Sequence, residues 1–355
     1  DIRASVRSEK LLMKRKMPNM KWGTSGRMNY VDNILKHSEG RETELALIVQ
    51  SETFGRSDMT WGELRRQVAS VAAHLSKMGV QEGDRVVAIL PNTETALIAF
   101  LASASLGAVW SLCAPDMGHV AILDRFKQIA PKVLIAQDGY VHAGKMIDRR
   151  AVLAEINAGL PSVVQFVTLP VVGDLPKGHV AWDDLTGDDA MYEATQVAFE
   201  HPLWIVYSSG TTGNPKGVVY SHRTTFVHSL ASRAADTFGI CERDQILLLP
   251  AMFHANAWGL PYSGWLSGSD FTLPGPHLQP IGIKRMIASE RPTITATVPT
   301  ILGDLLHADA ADLDMSCFRM LVCGGSAVPP AMIDAARERW GVPVLQGWGM
   351  TETSP

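Results

Sequence analysis

Tyr207-Ser208-Ser209-Gly210-Thr211-Thr212-Gly213-Asn214-Pro215-Lys216-Gly217 is the stretch from which the fold can be read. It holds four serine and threonine hydroxyls and three glycines, so backbone N–H and side-chain O–H groups can surround an anion. The apolar run Trp204-Ile205-Val206 stands just before it and predicts a strand over 204–208. A donor-rich loop directly after a strand is where α/β sheets place ligands. Lys216 adds a mobile positive charge. The loop is not a Walker A sequence, because its Lys is not framed as Gly-Lys-Ser/Thr and no helix signal begins there. A flexible surface turn is the bland alternative, but the order Ser-Gly-Thr-Thr-Gly-Asn-Pro-Lys-Gly is too particular for it. Phosphate binding is the stronger reading.

Helix and strand signals alternate on both sides of this loop. Upstream, Thr60-Trp61-Gly62-Glu63 fits a capping box, and Leu64, Val68, Val71, Ala72 and Leu75 recur at helical spacing. Strands are predicted over 86–90, 109–112, 133–136 and 163–169, with helices over 94–106, 122–129 and 149–158. Downstream, strands over 246–249, 293–298, 320–323 and 342–345 alternate with helices over 226–237, 281–290 and 330–339. This rhythm implies an α/β fold with mostly parallel sheets covered on both faces. The length fits two αβα-layered subdomains, residues 1–185 with an extended N-terminal arm and residues 186–355 carrying the loop. The polar segment 173–193 is the expected linker. Residues 1–40, with the basic cluster Lys10, Lys14, Arg15 and Lys16, read as a solvated arm.

Composition excludes several classes. Of 355 residues, 46% are hydrophobic and 19% charged, with a net charge of -4. Binding to nucleic-acid backbone needs a clustered excess of Lys and Arg, which this balance lacks. The longest apolar runs, such as residues 96–109 with their Ser and Gly interruptions, fall short of a membrane span. Four cysteines at irregular spacing do not form a disulfide framework, and no signal peptide is visible, so a cytoplasmic protein with reduced thiols is expected. Scattered histidines and the lack of a Cys-x-x-Cys pair argue against structural zinc. Cys323 reads as a small buried hydrophobe.

Two further stretches, in order along the chain, join the phosphate loop: Val322-Cys323-Gly324-Gly325-Ser326-Ala327-Val328-Pro329 and Gln346-Gly347-Trp348-Gly349-Met350-Thr351-Glu352-Thr353. Together the three resemble the adenylate-forming enzymes, the superfamily of acyl-CoA synthetases, luciferases and peptide-synthetase adenylation domains. The resemblance covers essentially the whole chain. It implies the large N-terminal part of that fold, with the ribose-binding aspartate, the hinge and the C-terminal lid domain with its catalytic lysine not assignable in residues 1–355. It also implies the chemistry: a carboxylic acid and ATP give an acyl-adenylate and pyrophosphate, and a thiol, such as coenzyme A, then takes the acyl group.

By that resemblance Thr211, Thr212 and the Gly210 and Gly213 amides would hold the outer phosphates, with Ser208, Ser209 and Lys216 also in the nucleotide site. Gly324, Gly325, Ser326 and Ala327 would lie along the adenine and acyl group, where glycine allows close backbone approach. Gln346, Gly347, Trp348, Gly349 and Met350 would complete the nucleotide site, with Thr351 at the α-phosphate. Glu352, with Thr212, would hold Mg²⁺, a hard cation suited to oxygen ligands. Met252-Phe253-His254-Ala255-Asn256-Ala257-Trp258-Gly259-Leu260-Pro261-Tyr262 resembles the segment beside the acyl site, with His254 near the carboxylate and Trp258 as a tunnel gate. Core packing is the competing reading for both. Thr212, Lys216, Glu352 and His254 are the expected catalytic set, and His254, Trp258, Gly325 and Gly349 the acyl contacts.

The chain also resembles two branches of the superfamily at once. Lys16-Met17-Pro18-Asn19-Met20-Lys21-Trp22 and Leu123-Asp124-Arg125-Phe126-Lys127-Gln128-Ile129 are similar to acetoacetyl-CoA synthetases. Beyond about residue 210, Gly217-Val218-Val219-Tyr220-Ser221-His222-Arg223 and Leu273-Pro274-Gly275-Pro276-His277-Leu278 are similar to medium- and long-chain fatty-acyl-CoA ligases. Since the acyl pocket is built chiefly from the second part, a medium or long alkyl acid is the expected substrate, with acetoacetate as the alternative. Transfer to a carrier protein and a non-catalytic nucleotide- and acyl-binding fragment also stand as readings. Monomer and homodimer are both open.

Overall fold

The computed structural model describes residues 2–7, 12–14, 21–22, 25–51, 55–142, 144–208, 213–275, 278–307 and 313–353. Two seven-stranded sheets organise them. The first runs Val180–Ala181, Gln165–Leu169, Val133–Gln137, Arg85–Ile89, Val109–Cys113, Pro202–Tyr207, Gly217–Ser221. Every pairing in it is parallel except the last, a hairpin between Pro202–Tyr207 and Gly217–Ser221. The second runs Val344–Gln346, Met320–Cys323, Ile294–Thr297, Gln245–Leu248, Asp270–Leu273, Leu45–Ser51, Gly55–Thr60. It too is parallel up to one antiparallel edge strand. Parallel strands buried on both faces account for the near-continuous apolar runs of the sequence.

The space between the sheets is filled by helices. The helix Glu94–Ser105 is buried along its length from Thr95 onward, and it is apolar all round, as a helix enclosed on every side must be. Its Phe100 ring lies 4.7 Å from Trp204 of the first sheet and 5.7 Å from Tyr262. Tyr262 belongs to the helix Leu260–Ser267, which packs on the second sheet. This aromatic cluster joins the two layers. The capping box at Thr60 and Glu63 is present and starts the helix Trp61–Lys77, whose expected apolar face is buried.

Three expectations need correction. The sheets do not divide at residues 185/186: Leu45–Ser51 and Gly55–Thr60 belong to the second, whereas Pro202–Tyr207 and Gly217–Ser221 complete the first. The segment 173–193 is not a free linker, because Val180–Ala181 pairs with the first sheet and Trp182 and Leu185 are buried anchors within its polar composition. Nor is all of residues 1–40 a solvated arm. The helix Tyr30–Leu35 is largely buried, the Tyr30 hydroxyl donates to the Tyr262 carbonyl at 2.5 Å, and Asn29 donates to the carbonyls of Ala104 and Thr195. Lys10, Arg15 and Lys16 lie outside the described residues.

The helix expected over 226–237 instead spans His222–Arg233, because Ser221 and Thr224 form a capping box four residues earlier. His222 is fully buried, accepts a hydrogen bond from the Tyr30 backbone N–H, and is held neutral by burial, with its pKa pushed down to about 3. Among the described residues no helix is long and apolar enough to cross a membrane.

Candidate functional site

Pro202–Tyr207 and Gly217–Ser221 form an antiparallel pair, and Ser208 and Gly213–Lys216 stand at the carboxyl end of its first strand. The end of the pair is closed by the Ser208 N–H donating to the Lys216 carbonyl at 3.1 Å. Ser209, Gly210, Thr211 and Thr212 lie outside the described residues. The absence of a helix at Lys216 follows the sequence reading: a strand continues from Gly217, so this is a hairpin loop rather than a strand–loop–helix cradle. Gln128, at the end of the helix His119–Phe126, braces the loop from outside. Its amide donates to the Pro215 carbonyl at 2.8 Å and accepts from the Gly217 N–H at 3.3 Å, one residue to either side of Lys216.

Two loops of the second sheet face this hairpin, following the strands Met320–Cys323 and Val344–Gln346. The Gly347 N–H donates to the Cys323 carbonyl at 2.8 Å, which lays the loops side by side. Gly324 lies so close that a Cβ there would stand 2.6 Å from the Gly347 carbonyl oxygen. Gly325 adopts φ +78, and a Cβ on it would meet the Trp258 ring at 3.3 Å. Beyond them, Met350 and Thr353 close the 3₁₀ turn Thr351–Thr353, the Thr353 hydroxyl donating to the Met350 carbonyl at 2.8 Å. The Cys323 thiol is fully buried and its pKa is pushed up to about 11 by that burial, so it is an inert apolar filler.

The aromatic segment forms the remaining wall. Asn92, in the loop after Arg85–Ile89 of the first sheet, donates to the Pro250 carbonyl at 2.9 Å and accepts from the Met252 N–H at 3.0 Å. That amide pins the approach to Phe253 and His254 across the sheet boundary. Ala257 and Trp258 hold φ of 50 and 59, backbone strain of the kind found where a side chain is held in place. Gly259 follows at φ 77, and a Cβ there would stand 2.3 Å from the His228 ring. Only glycine lets that imidazole pack so closely on the main chain.

All these elements enclose one cavity of about 510 Å³. Ser208, Gly213 and Lys216 line it from the hairpin, and Gly324 and Gly325 from the second motif. Gly347, Trp348, Gly349, Met350, Thr351 and Glu352 line it from the third, and His254 and Trp258 from the aromatic segment. Among the described residues, Ser326, Ala327 and Gln346 are exposed beside the cavity and do not line it. Asn214, His228, Phe238, Leu260, Ala296 and Val322 line it without having been expected. Val322 opens the second quoted stretch and Leu260 lies in the aromatic segment two residues after Trp258, so the motifs themselves contain both. His228, inside the helix His222–Arg233, and Phe238, in the turn after it, carry no such signal, because neither helical spacing nor turn composition reveals what meets a cavity.

Glu352 is the single carboxylate in that wall among the described residues. No group of three or more His, Cys, Asp or Glu side chains is arranged among them to hold a metal by itself. One exposed carboxylate on a cavity wall is a donor type that suits Mg²⁺, which is commonly held by one or two carboxylates together with its substrate.

Residues 36–355 match the model of the AMP-binding enzyme family. The chain belongs to that family. Among curated AMP-binding relatives, the medium-chain-fatty-acid–CoA ligase of Ectopseudomonas oleovorans is 35% identical over 333 residues, covering 92% of this chain and 58% of the relative. The acetoacetyl-CoA synthetase of Macaca fascicularis is 41% identical over 224 residues, covering 59% of this chain and 33% of the relative. The solved acetoacetyl-CoA synthetase from Streptomyces lividans superposes with a TM-score of 0.91 at 34% identity, covering 99% of this chain and 56% of that one. This chain thus spans less than two thirds of the length of each of these relatives. The superposition identifies the two sheets as the N-terminal part of the adenylate-forming fold.

Proposed function

We propose that this chain carries the site at which an AMP-forming acid–thiol ligase activates a carboxylic acid with ATP, and that the acid is a medium- or long-chain alkyl carboxylate. The observation that supports this reading is the shared cavity: Lys216, Thr351 and Glu352 border the same space as His254 and Trp258. A carboxylate oxygen attacks the α-phosphorus in line, pyrophosphate leaves, and an acyl-adenylate forms. Catalysis of such a step is mainly positioning and electrostatic stabilisation.

In this reading the glycine-lined loops at Gly324 and Gly347 take the adenosine, and the Thr351 side lies at the α-phosphate. The Lys216 ammonium and the Ser208–Gly213 loop offset charge on the outer phosphates. His254 stands at the acid's carboxylate, and Trp258, Phe238, Leu260 and Ala296 surround its alkyl chain. Glu352, with Thr212, would hold a Mg²⁺ ion, which when bound neutralises charge on the phosphates. The coenzyme A thiol then attacks the acyl carbonyl, forming the thioester and releasing AMP. Four free cysteines fit a cytoplasmic setting.

Acetoacetate is a second reading, favoured by the Streptomyces lividans structure, which covers nearly all of this chain. Acid-dependent exchange of labelled pyrophosphate into ATP, run with acetate, acetoacetate, octanoate and palmitate, separates the two. Octanoate or palmitate is expected to drive exchange best, since apolar walls reward alkyl burial by about 0.8 kcal/mol per methylene. Exchange with acetoacetate alone would overturn the alkyl assignment. ATP binding without exchange for any acid would overturn the enzymatic reading.

A further inference from the structure

The phosphate-loop hairpin belongs to the first sheet and the Thr351–Thr353 turn follows the edge strand of the second. A nucleotide lying between them needs both in register, and the two sheets share no strand. Tyr220 crosses this gap. It sits on the hairpin strand Gly217–Ser221, opposite Trp204, and alternation along the strand turns it inward: Val219 is 55% exposed and Tyr220 only 3%. Its hydroxyl donates to the Thr351 carbonyl at 2.5 Å, inside the protein. Burial and the neighbouring Glu352 carboxylate both raise the Tyr220 pKa, so the phenol keeps its proton and remains a donor.

We propose that Tyr220 is a positioning residue for the nucleotide: its hydroxyl fixes the Thr351–Glu352 backbone against the hairpin that carries Lys216. The phenol does not line the cavity and touches no substrate; it acts through the Thr351 carbonyl. The ring alone would fill the same space as phenylalanine. Among the described residues the hydroxyl is the group that ties the Thr351 carbonyl to the hairpin strand, and without it the turn loses that hydrogen bond to the first sheet. This inference rests on the adenylation reading, and the test separates the two.

Tyr220→Phe keeps the packing and removes the one hydrogen bond. In octanoate-dependent exchange, the apparent KM for ATP is expected to rise about tenfold, the scale of one lost buried hydrogen bond, with the KM for octanoate within about twofold of wild type. A purely structural role would lower the active fraction and leave both KM values where they were, and that result would overturn the proposal. Thermal shift with ATP gives a readout independent of turnover. The ATP-induced rise in Tm is expected to be smaller in Tyr220→Phe than in wild type, and an equal rise would contradict the proposal. If wild type binds ATP but exchanges with no acid, the enzymatic reading fails alone and the thermal shift still decides the role of Tyr220.

Discussion

Glu352→Gln is expected to lower acid-dependent pyrophosphate exchange by about a hundredfold or more, the scale of removing one preorganised charged group from a reacting centre. The amide copies the shape of the carboxylate and removes its charge. Thr353 and Met350 hold the turn through their own hydrogen bonds, and Tyr220 holds the Thr351 carbonyl, so among the described residues these bonds hold the turn without the Glu352 side chain. The thermal midpoint is therefore expected to stay near that of wild type. Glu352 is the carboxylate of the described cavity wall, and if it holds Mg²⁺ as proposed, its loss would leave Thr212, phosphate oxygens and water as the ligands. Raising Mg²⁺ is expected to recover part of the exchange in the variant and little in wild type. Wild-type exchange in Glu352→Gln at every Mg²⁺ concentration would contradict the metal assignment.

The second large effect is steric. Gly324→Ala places a methyl group 2.6 Å from the Gly347 carbonyl oxygen, a backbone atom that no rotamer change can move aside. The loops after Met320–Cys323 and Val344–Gln346 must separate, and both border the cavity. A displacement of about 1 Å at a reacting site can cost about a hundredfold, and a loss of that order is expected in exchange. Gly282→Ala serves as the control, since nothing lies within 4 Å of a Cβ there and its helix, Pro280–Glu290, contributes nothing to the cavity wall. It is expected to leave exchange unchanged and to raise Tm slightly, because alanine is favoured over glycine in a helix, though in this first turn by less than the ~1 kcal/mol of a helix interior. Equal exchange in Gly324→Ala and Gly282→Ala would show that the contact between the two glycine loops does not shape the site.

Much of this architecture is legible in the sequence, and the parts that are not have identifiable causes. Buried parallel strands such as Val133–Gln137 and Met320–Cys323 announce themselves as short apolar runs beside helical periodicity. The edge strand Gly55–Thr60 does not, because Arg56, Ser57 and Asp58 suit a strand with solvent on one side and resemble a loop. The burial of Tyr30–Leu35 is invisible locally, since its partners Tyr262 and His222 are some two hundred residues away. For the site, motif order brought forward Lys216, the Gly324 and Gly347 loops and Glu352, which do border one cavity. Gln128, Asn92 and Tyr220 were not read as site residues, because each acts by hydrogen bonds to distant backbone. No spacing rule within the chain encodes such partners.

The central claim is that one cavity receives both halves of an acyl-adenylate, and octanoyl-sulfamoyl-adenosine, a non-hydrolysable mimic of octanoyl-adenylate, tests it most directly. Trp258 and Trp348 stand in the cavity wall, so intrinsic fluorescence can follow the titration. The mimic is expected to bind about a hundredfold or more tighter than AMP alone, as stable analogues of reactive species do, and to be displaced by ATP and by octanoate. Affinity no better than that of AMP, with no competition from octanoate, would contradict the account.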